Sequence, residues 1–349
     1  MSARAFAIPL LLATSLVAPR LDAQSSMTAE DLAFYRVQAF TAGPAERRLP
    51  LNHIGIAGHV EADGFRVTAV LDDYPAHRAG ILRGDLLLTA AGEPYHPIAA
   101  FNPDELTAER LTPRPHAVDI ALLRHDSRLT VTVTPVFENL YDSYRSASLA
   151  SVQRFPSGNK TVGYVRLWAL SRATADLLAY RRLFEELAGS DGIILDLRDA
   201  TGYFSLQQLD LVYRGRAELL SSSAPPHWPT GMAEPGWPLA MEPYRNPVVI
   251  LINGATEAGA ELLAYQLGKR PRVTVVGSNS AGRLGNYRRS DTAAGAAFTY
   301  EPASGVLFDG VEREGVGFAP EREAPYPEAQ QGRIDPQFQI AFDILMGVI

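Results

Sequence analysis

The feature of this sequence that most constrains its fold is an alternation of apolar runs and helix-like segments in the second half. Residues 192–197 form an almost continuous apolar run, which is typical of a strand buried on both faces. Further strand-like runs lie at 162–167, 248–252 and 273–277, and helix-like segments lie at 172–188 and 258–268. Strands that alternate with helices pair in parallel, because each helix returns the chain to the same end of the sheet. We therefore predict an α/β domain over 139–349 with an at least partly parallel sheet.

The preceding segment has a different pattern. Short β-like runs lie at 54–56, 65–71, 86–90, 117–123 and 129–136, and turn residues such as Asp63-Gly64 and Gly92-Glu93-Pro94 separate them. This pattern predicts a small β-rich domain over 51–138. Residues 24–50 hold one predicted helix, 28–40, with Thr28 as its cap and Glu30 and Asp31 in its first turn.

Composition excludes several function classes. The chain has 349 residues, with 39 acidic and 32 basic side chains and a net charge of −7. No dense basic stretch is present to neutralise phosphates, so we expect no nucleic-acid partner. The absence of cysteine removes disulfides, thiolate catalysis and Cys-ligated zinc. The histidines have no HExxH-like spacing and no phosphate-cradling loop occurs, so we expect neither a catalytic metal nor a cofactor.

The segment 1–23 resembles an export signal. Arg4 supplies a positive charge, an apolar run follows, and small residues lie near Ala23. The alternative is a buried N-terminal helix, which Pro9 and Pro19 disfavour. We therefore predict a periplasmic or secreted protein with no membrane span after signal cleavage.

A proline-rich stretch interrupts the second half. Residues 221–247 contain seven prolines together with Trp228 and Trp237. Because aromatic side chains in a linker would lack burial, we predict a long ordered surface loop or flap.

Two motifs in the β-rich segment resemble those of PDZ domains. The residues Ile54, Gly55, Ile56 and Ala57 resemble the loop whose backbone amides receive a peptide's terminal carboxylate. Residues 75–88 resemble the "PA..AGL..GD.I" signature, within which His77 precedes the helix that flanks the peptide groove. The resemblance implies that polypeptide C-termini bind here by β-augmentation. The alternative is another small β-barrel with a glycine-rich turn, and a solvated role for His77.

The second half resembles the tail-specific, or carboxy-terminal processing, serine peptidases of family S41. Residues 163–167 resemble that family's "GYIRI" strand, residues 192–202 its "GLILDLRGNPGG" strand and turn, and residues 314–320 its "GVGIxPD" segment. Residues 247–253 resemble the strand that leads to the nucleophile. The resemblance implies an S41-like α/β core preceded by a PDZ domain, together with polypeptide substrates.

The residues that would carry the chemistry depart from the family pattern. The turn at 256–261 places Ala258 where the family has its serine, and the later loop places Arg283 where the processing branch has its lysine base. Arginine stays protonated, so it cannot serve as that base. The resemblance implies that Gly202 and Gly259 supply oxyanion amides, although Tyr203 replaces the second glycine of the family turn.

Other residues are only weak candidates to replace the missing nucleophile and base. His227, within 221–247, would have to build a triad from that loop, and the alternative nucleophiles are Thr256, Ser278 and Ser280. A local ion pair accounts for Asp196 and Arg198 as well as catalysis does. We expect Glu261 in the first turn of a helix, and Arg283 to hold a peptide carboxylate, Glu261 or a structural partner.

Three functions follow from these observations. The first is an exported S41 homologue that binds polypeptide C-termini without cutting them. The second is an active serine-type endopeptidase with a rearranged site, or with an engineered change of serine to Ala258. The third is an envelope scaffold that binds one partner protein. The sequence favours the first, because the serine and the lysine are both absent beside an intact PDZ-like loop.

Overall fold

The computed structural model describes residues 26–43, 46–102, 107–213, 242–293, 295–305, 307–329 and 335–349. The predicted export signal lies outside the described residues, as does most of the proline-rich stretch with His227, Trp228 and Trp237.

The described elements alternate as the sequence predicts. The helices are α1 (Leu32–Thr41), α2 (Pro75–Arg78), α3 (Leu140–Ala150), α4 (Thr174–Glu186), α5 (Leu206–Leu209), α6 (Gly259–Gly268) and α7 (Pro336–Val348). The strands of the first half are β1 (Leu51–His53), β2 (Ile56–Glu61), β3 (Gly64–Val70), β4 (Leu86–Ala90), β5 (Glu93–Pro94), β6 (Val118–Arg124), β7 (Ser127–Val133) and β8 (Val136–Glu138). Those of the second half are β9 (Gln153–Ser157), β10 (Lys160–Arg166), β11 (Ala169–Leu170), β12 (Gly192–Asp196), β13 (Thr201–Gly202), β14 (Val248–Ile252), β15 (Val273–Gly277), β16 (Asn286–Thr292), β17 (Gly295–Glu301), β18 (Leu307–Phe308), β19 (Val311–Glu312) and β20 (Arg322–Glu323).

A six-stranded sheet forms the centre of the second half. Its strand order is β20-β15-β14-β12-β10-β9, and every neighbouring pair is parallel except β9 with β10. All residues of β12 and β14 are buried, because helices cover both faces of the sheet. The predicted α/β architecture and parallel pairing are confirmed.

Helices pack on both faces of this sheet through apolar side chains. On one face α4, α5 and α6 pack on inward side chains such as Leu195, Ile250 and Val275. On the other face α7 packs through Ala341 and Leu345, both fully buried. Burying a leucine side chain stabilises a fold by about 1.5–3 kcal/mol, so α7 contributes substantially through few residues.

The β-rich segment folds around a second, antiparallel sheet. Its order is β2-β3-β4-β6-β7, which leaves β2 and β7 as its edges. The outer pair β1 and β8 joins Leu51 to Glu138, the two ends of the predicted 51–138 unit. Buried and half-buried residues alternate along β3, as expected for a sheet with one covered face.

The N-terminal helix is part of a core that joins the two halves. Phe34 and Tyr35 of α1 pack in one cluster with Trp168 and Phe298. The predicted start of this helix was wrong, because α1 begins at Leu32 after Asp31. Asp31 Oδ2 accepts a hydrogen bond from Thr28 N at 2.9 Å, so the capping residues instead form a turn before the helix.

None of the helices in the described ranges combines the length and apolarity needed to cross a bilayer.

Candidate active-site cleft and peptide-binding loop

Ala258 occupies a sharp turn between a strand and a helix. It follows β14 and immediately precedes α6, with a backbone φ of 53° and ψ of −124°. A residue with a Cβ is strained in this left-handed region, typically by about 1–3 kcal/mol. Such turns expose one side chain above the carboxyl ends of parallel strands, which is how nucleophile elbows present a serine. Here that position carries the methyl group of the half-buried Ala258.

The two glycines assigned to oxyanion amides lie side by side. A Cβ on Gly259 would lie 2.6 Å from the carbonyl oxygen of Gly202 and 2.3 Å from the amide nitrogen of Phe204. Only a glycine permits so close a backbone approach. The fold therefore brings Gly202, Ala258 and Gly259 together, although Gly202 is distant from the other two along the chain.

The side chain of Glu261 forms hydrogen bonds with the backbone of this turn. It is fully buried in the first turn of α6, as predicted. Its carboxylate accepts hydrogen bonds from Ser280 Oγ at 2.6 Å and from the amides of Ala258, Gly282 and Arg283 at 2.7–3.0 Å. Burial raises the pKa of Glu261 to about 7, and these donated hydrogen bonds oppose the shift. The contacts place it as the residue that fixes the turn.

Glu257, one residue before Ala258, is the centre of a charged cluster. Its buried carboxylate pairs with Arg36 of α1 at 3.1 Å and with Arg283 at 3.5 Å. The sequence suggested Glu261 as a partner of the Arg283 side chain. The structure corrects this, because Glu261 binds only the Arg283 amide and the guanidinium pairs with Glu257. Arg283 therefore has a structural partner.

A cleft opens beside this cluster. It encloses about 490 Å³, solvent at its mouth included. Its walls come from α1, the Gly202 turn, the Ala258 turn and the start of β16. Tyr203 is half-buried and lines the cleft next to Gly202.

Two of the substitute nucleophiles, Thr256 and Ser280, are occupied by structural hydrogen bonds. Thr256 is fully buried, and its hydroxyl donates to Leu197 O at 2.8 Å and accepts from Asn253 N at 3.0 Å. The hydroxyl of Ser280 donates to Glu261 and accepts from Phe318 N at 2.8 Å. Neither hydroxyl is placed to attack a substrate in the cleft.

The chain's two lysines lie far from Ala258. Lys160 begins β10 and pairs with Asp191, at the opposite end of the sheet. Lys269 follows the last residue of α6 and pairs with Asp309, roughly 15 Å along the helix from Ala258. Neither can replace the missing base.

Comparison with known proteins assigns part of the chain to a family. Residues 161–324 match the model of peptidase family S41. These residues form an S41 domain. Curated relatives are a carboxyl-terminal-processing protease of Synechocystis, 24% identical over 82% of this chain, and a carboxy-terminal-processing protease of Bartonella bacilliformis, 22% identical over 80%. The matches cover 66% and 63% of those relatives' own lengths.

A solved structure supports the fold. A Bacteroides fragilis protein described as an S41 protease superposes with a TM-score of 0.53 and 17% sequence identity. The match covers 87% of this chain and 85% of that one, so the similarity of fold extends beyond the S41 domain.

Asp196 and Arg198 of the S41 domain form a buried ion pair. Arg198 Nη2 lies 2.5 Å from Asp196 Oδ2, and Arg198 Nη1 lies 2.7 Å from Asp335 Oδ2 before α7. The Arg198 guanidinium helps to lower the pKa of Asp196 to about 2, against burial. The pair therefore attaches α7 to the sheet, as expected from a structural role.

The carboxylate-binding loop predicted ahead of the S41 domain has one amide already engaged. Gly55, at φ 77°, donates its amide to His53 Nδ1 at 3.1 Å. Ile54 and Ile56 are buried, while Ala57 is half-buried at the start of edge strand β2. A peptide carboxylate would therefore have to use amides other than that of Gly55.

His77, the other predicted peptide-binding residue, is exposed. Its Nδ1 accepts a hydrogen bond from Asp73 N at 3.1 Å, just before α2. This local contact is the solvated role that the sequence left open.

Among the described residues, His59, Glu61 and Glu328 place potential metal-ligand atoms within 4.8 Å of one another. Glu61 is already bound by Arg66 through two hydrogen bonds of 2.8 and 2.9 Å. The ion pair accounts for Glu61 without a metal.

Sequence reasoning missed Arg36 and Glu257 as site residues. Glu257 lies within the nucleophile turn, so the position of this charged residue in the sequence could have indicated that it belongs to the site. Arg36 lies on α1 near the other end of the chain and offered no signal, because only folding brings it to this turn.

Proposed function

We propose that this chain is an exported S41 homologue that binds polypeptide C-termini through its 51–138 segment and does not cleave them. The observation that carries the proposal is the turn at Ala258. It has the strained backbone of a nucleophile turn but no hydroxyl, and the basic groups that pair with the adjacent Glu257 are arginines. A serine-type mechanism needs a hydroxyl and a neutral base, and the described residues around Ala258 supply neither.

The binding half of the proposal is supported by the outer edge of β2, which pairs with no other strand among the described residues. This strand follows the Gly55 loop, and Val60 within it is 72% exposed. An unpaired edge strand offers backbone groups to an extended peptide, which is the basis of β-augmentation. The export half stays a prediction from residues 1–23.

Cleavage is tested by intact-mass analysis of unstructured peptides with free C-termini. We expect no product from the wild-type protein, and none from a folded Ala258→Ser variant, because the described residues around position 258 offer no neutral base. Cleavage by the wild type that disappears in Thr256→Val or Arg283→Gln would overturn the proposal. Circular dichroism of each variant checks that it is folded.

Binding is tested by retention of the same peptides on immobilised protein. Val60→Pro removes an edge amide from β2 and should abolish retention of extended peptides. Thr130→Pro, on the opposite edge strand β7, is the matched control, because the Thr130 amide also points away from the neighbouring strand, and this variant should retain them. Equal retention by both variants would contradict binding at β2.

A further inference from the structure

We infer that the cleft beside Ala258 binds the free carboxylate and apolar side chain of a polypeptide's last residue, with Arg36 as the carboxylate partner. The inference rests on the proposed function, since it concerns the same class of ligand. It adds a second site, on a different part of the molecule from the Gly55 loop.

The first support is the charge of the cluster. One carboxylate, that of Glu257, is shared by the two guanidinium groups of Arg36 and Arg283. The three groups together carry one net positive charge. Glu261, the neighbouring acid, is fully buried and its two oxygens are occupied by four donors. The cluster is therefore complementary to one further anion.

The second support is the donor capacity of Arg36. A guanidinium has five N–H donors, and the fork they form matches a carboxylate. Arg36 pairs with Glu257 and is hydrogen-bonded to Tyr144, which leaves donors available. Its side chain is 24% exposed and lines the cleft.

The third support is the apolar wall beside Arg36. Val37 and Phe40 of α1 and Tyr287 of β16 line the same cleft. Carboxylate-binding donors beside an apolar wall suit one C-terminal residue with an aliphatic or aromatic side chain. The cleft is narrow and is too small for a folded partner.

The orientation of α6 adds to the attraction. This ten-residue helix begins at Gly259, directly behind Ala258. Its N-terminus carries a partial positive charge, which favours an anion on the cleft side of the turn.

The test uses N-acetylleucine, whose single residue is too short to pair with β2, against its uncharged counterpart N-acetylleucinamide. Binding to the mature protein is measured by ligand-observed NMR titration. We expect the acid to bind about tenfold or more tightly than the amide, because hydrogen bonds between charged groups are strong. Equal affinity for both probes would overturn the inference.

Two variants change the net charge of the cluster in opposite directions. Arg36→Gln should weaken binding of N-acetylleucine by about tenfold or more. Glu257→Gln removes the competing carboxylate and should strengthen binding several-fold. If a folded Glu257→Gln protein binds the acid less tightly, the inferred charge balance is wrong, whatever happens to the stability of Arg36→Gln.

Two further variants distinguish the cleft from binding elsewhere on the protein. Arg288→Gln removes an exposed arginine of β16 and should leave binding unchanged. Val60→Pro should also leave N-acetylleucine binding unchanged, even where it abolishes retention of long peptides. A loss in Val60→Pro would place the probe at β2 and overturn the second site. Normal binding of the probe by a protein that fails to retain long peptides would count against the proposed function alone.

Discussion

At the residue scale, the turn at Ala258 keeps the shape of a catalytic turn without its reactive group. The backbone strain there is held by neighbours: Glu261 accepts the Ala258 amide, and Arg283 O accepts it as well at 3.1 Å. Strain of this kind persists only where the surrounding structure determines it. The strain at Ala258 and the burial of Glu261 can each be measured.

Ala258→Gly should stabilise the protein by about 1 kcal/mol, because glycine adopts a positive φ without a steric penalty. The matched control is Ala260→Gly, two residues later inside α6, which should destabilise by about 1 kcal/mol. Chemical denaturation measures both. Equal destabilisation by the two changes would show that Ala258 is not strained.

Glu261 should make stability depend on pH. Its folded-state pKa of about 7 lies above the ordinary value, so its stabilising contribution is complete below about pH 4.5 and is lost as pH rises through 7. Between pH 6.5 and 8 the wild type should lose about 1 kcal/mol relative to Glu261→Gln. Denaturation midpoints at the two pH values test this, with Glu185→Gln as an exposed control. A parallel pH dependence in wild type and Glu261→Gln would contradict the shifted pKa.

At the element scale, α7 depends on its first residues for attachment. Asp335 accepts hydrogen bonds from the amides of Gln337 and Phe338, both at 3.1 Å, and also pairs with the buried Arg198. It therefore caps the helix and joins it to β12. On this face of the sheet α7 is the packed helix, so its attachment affects the whole domain.

Asp335→Ala should destabilise the protein by about 1–2 kcal/mol, through the lost cap and the weakened ion pair. Asp343→Ala is the control, because Asp343 is exposed in the middle of the same helix and accepts a hydrogen bond from Gln339 one turn earlier. Thermal unfolding compares the two. A change of similar size in both variants would mean that the cap does not attach the helix.

At the scale of the whole molecule, the two halves are joined by side chains that the sequence did not single out. Trp168 is 1% exposed, and its indole N–H donates to Asp72 Oδ2 at 2.8 Å. Arg166 stacks on the same indole, 3.5 Å from its centre, and pairs with Asp199 beside the Gly202 turn. A chain of contacts thus runs from the β-rich sheet to the cleft.

Trp168→Phe keeps an aromatic ring but removes the N–H donor. We expect a loss of about 1–2 kcal/mol and faster amide exchange in β2–β4, because a hydrogen bond to a carboxylate is lost. Asp72→Asn, which keeps an oxygen acceptor, should have a smaller effect. Hydrogen-exchange mass spectrometry checks both, and unchanged exchange in β2–β4 would show that this contact does not couple the halves.

The sequence by itself determined the α/β architecture. It also showed that the family's serine and lysine positions hold Ala258 and Arg283. The parallel strands β12, β14 and β15 were readable because runs such as Val248–Ile252 are apolar on both faces and too short for helices. Ala258 and Arg283 could be recognised because they lie within motifs whose order along the chain is fixed. Both conclusions depend on local pattern, which a sequence carries directly.

Only the tertiary structure decided what surrounds Ala258. Arg36 of the N-terminal helix reaches Glu257 in the S41 domain, and Arg283 turns to Glu257 although Glu261 is also near. The hydroxyl of Thr256 is engaged by Leu197, which a sequence motif cannot show. Partner choice among charged groups depends on distance and burial, because both set the strength of an ion pair. These quantities exist only after strands and helices from both halves have packed.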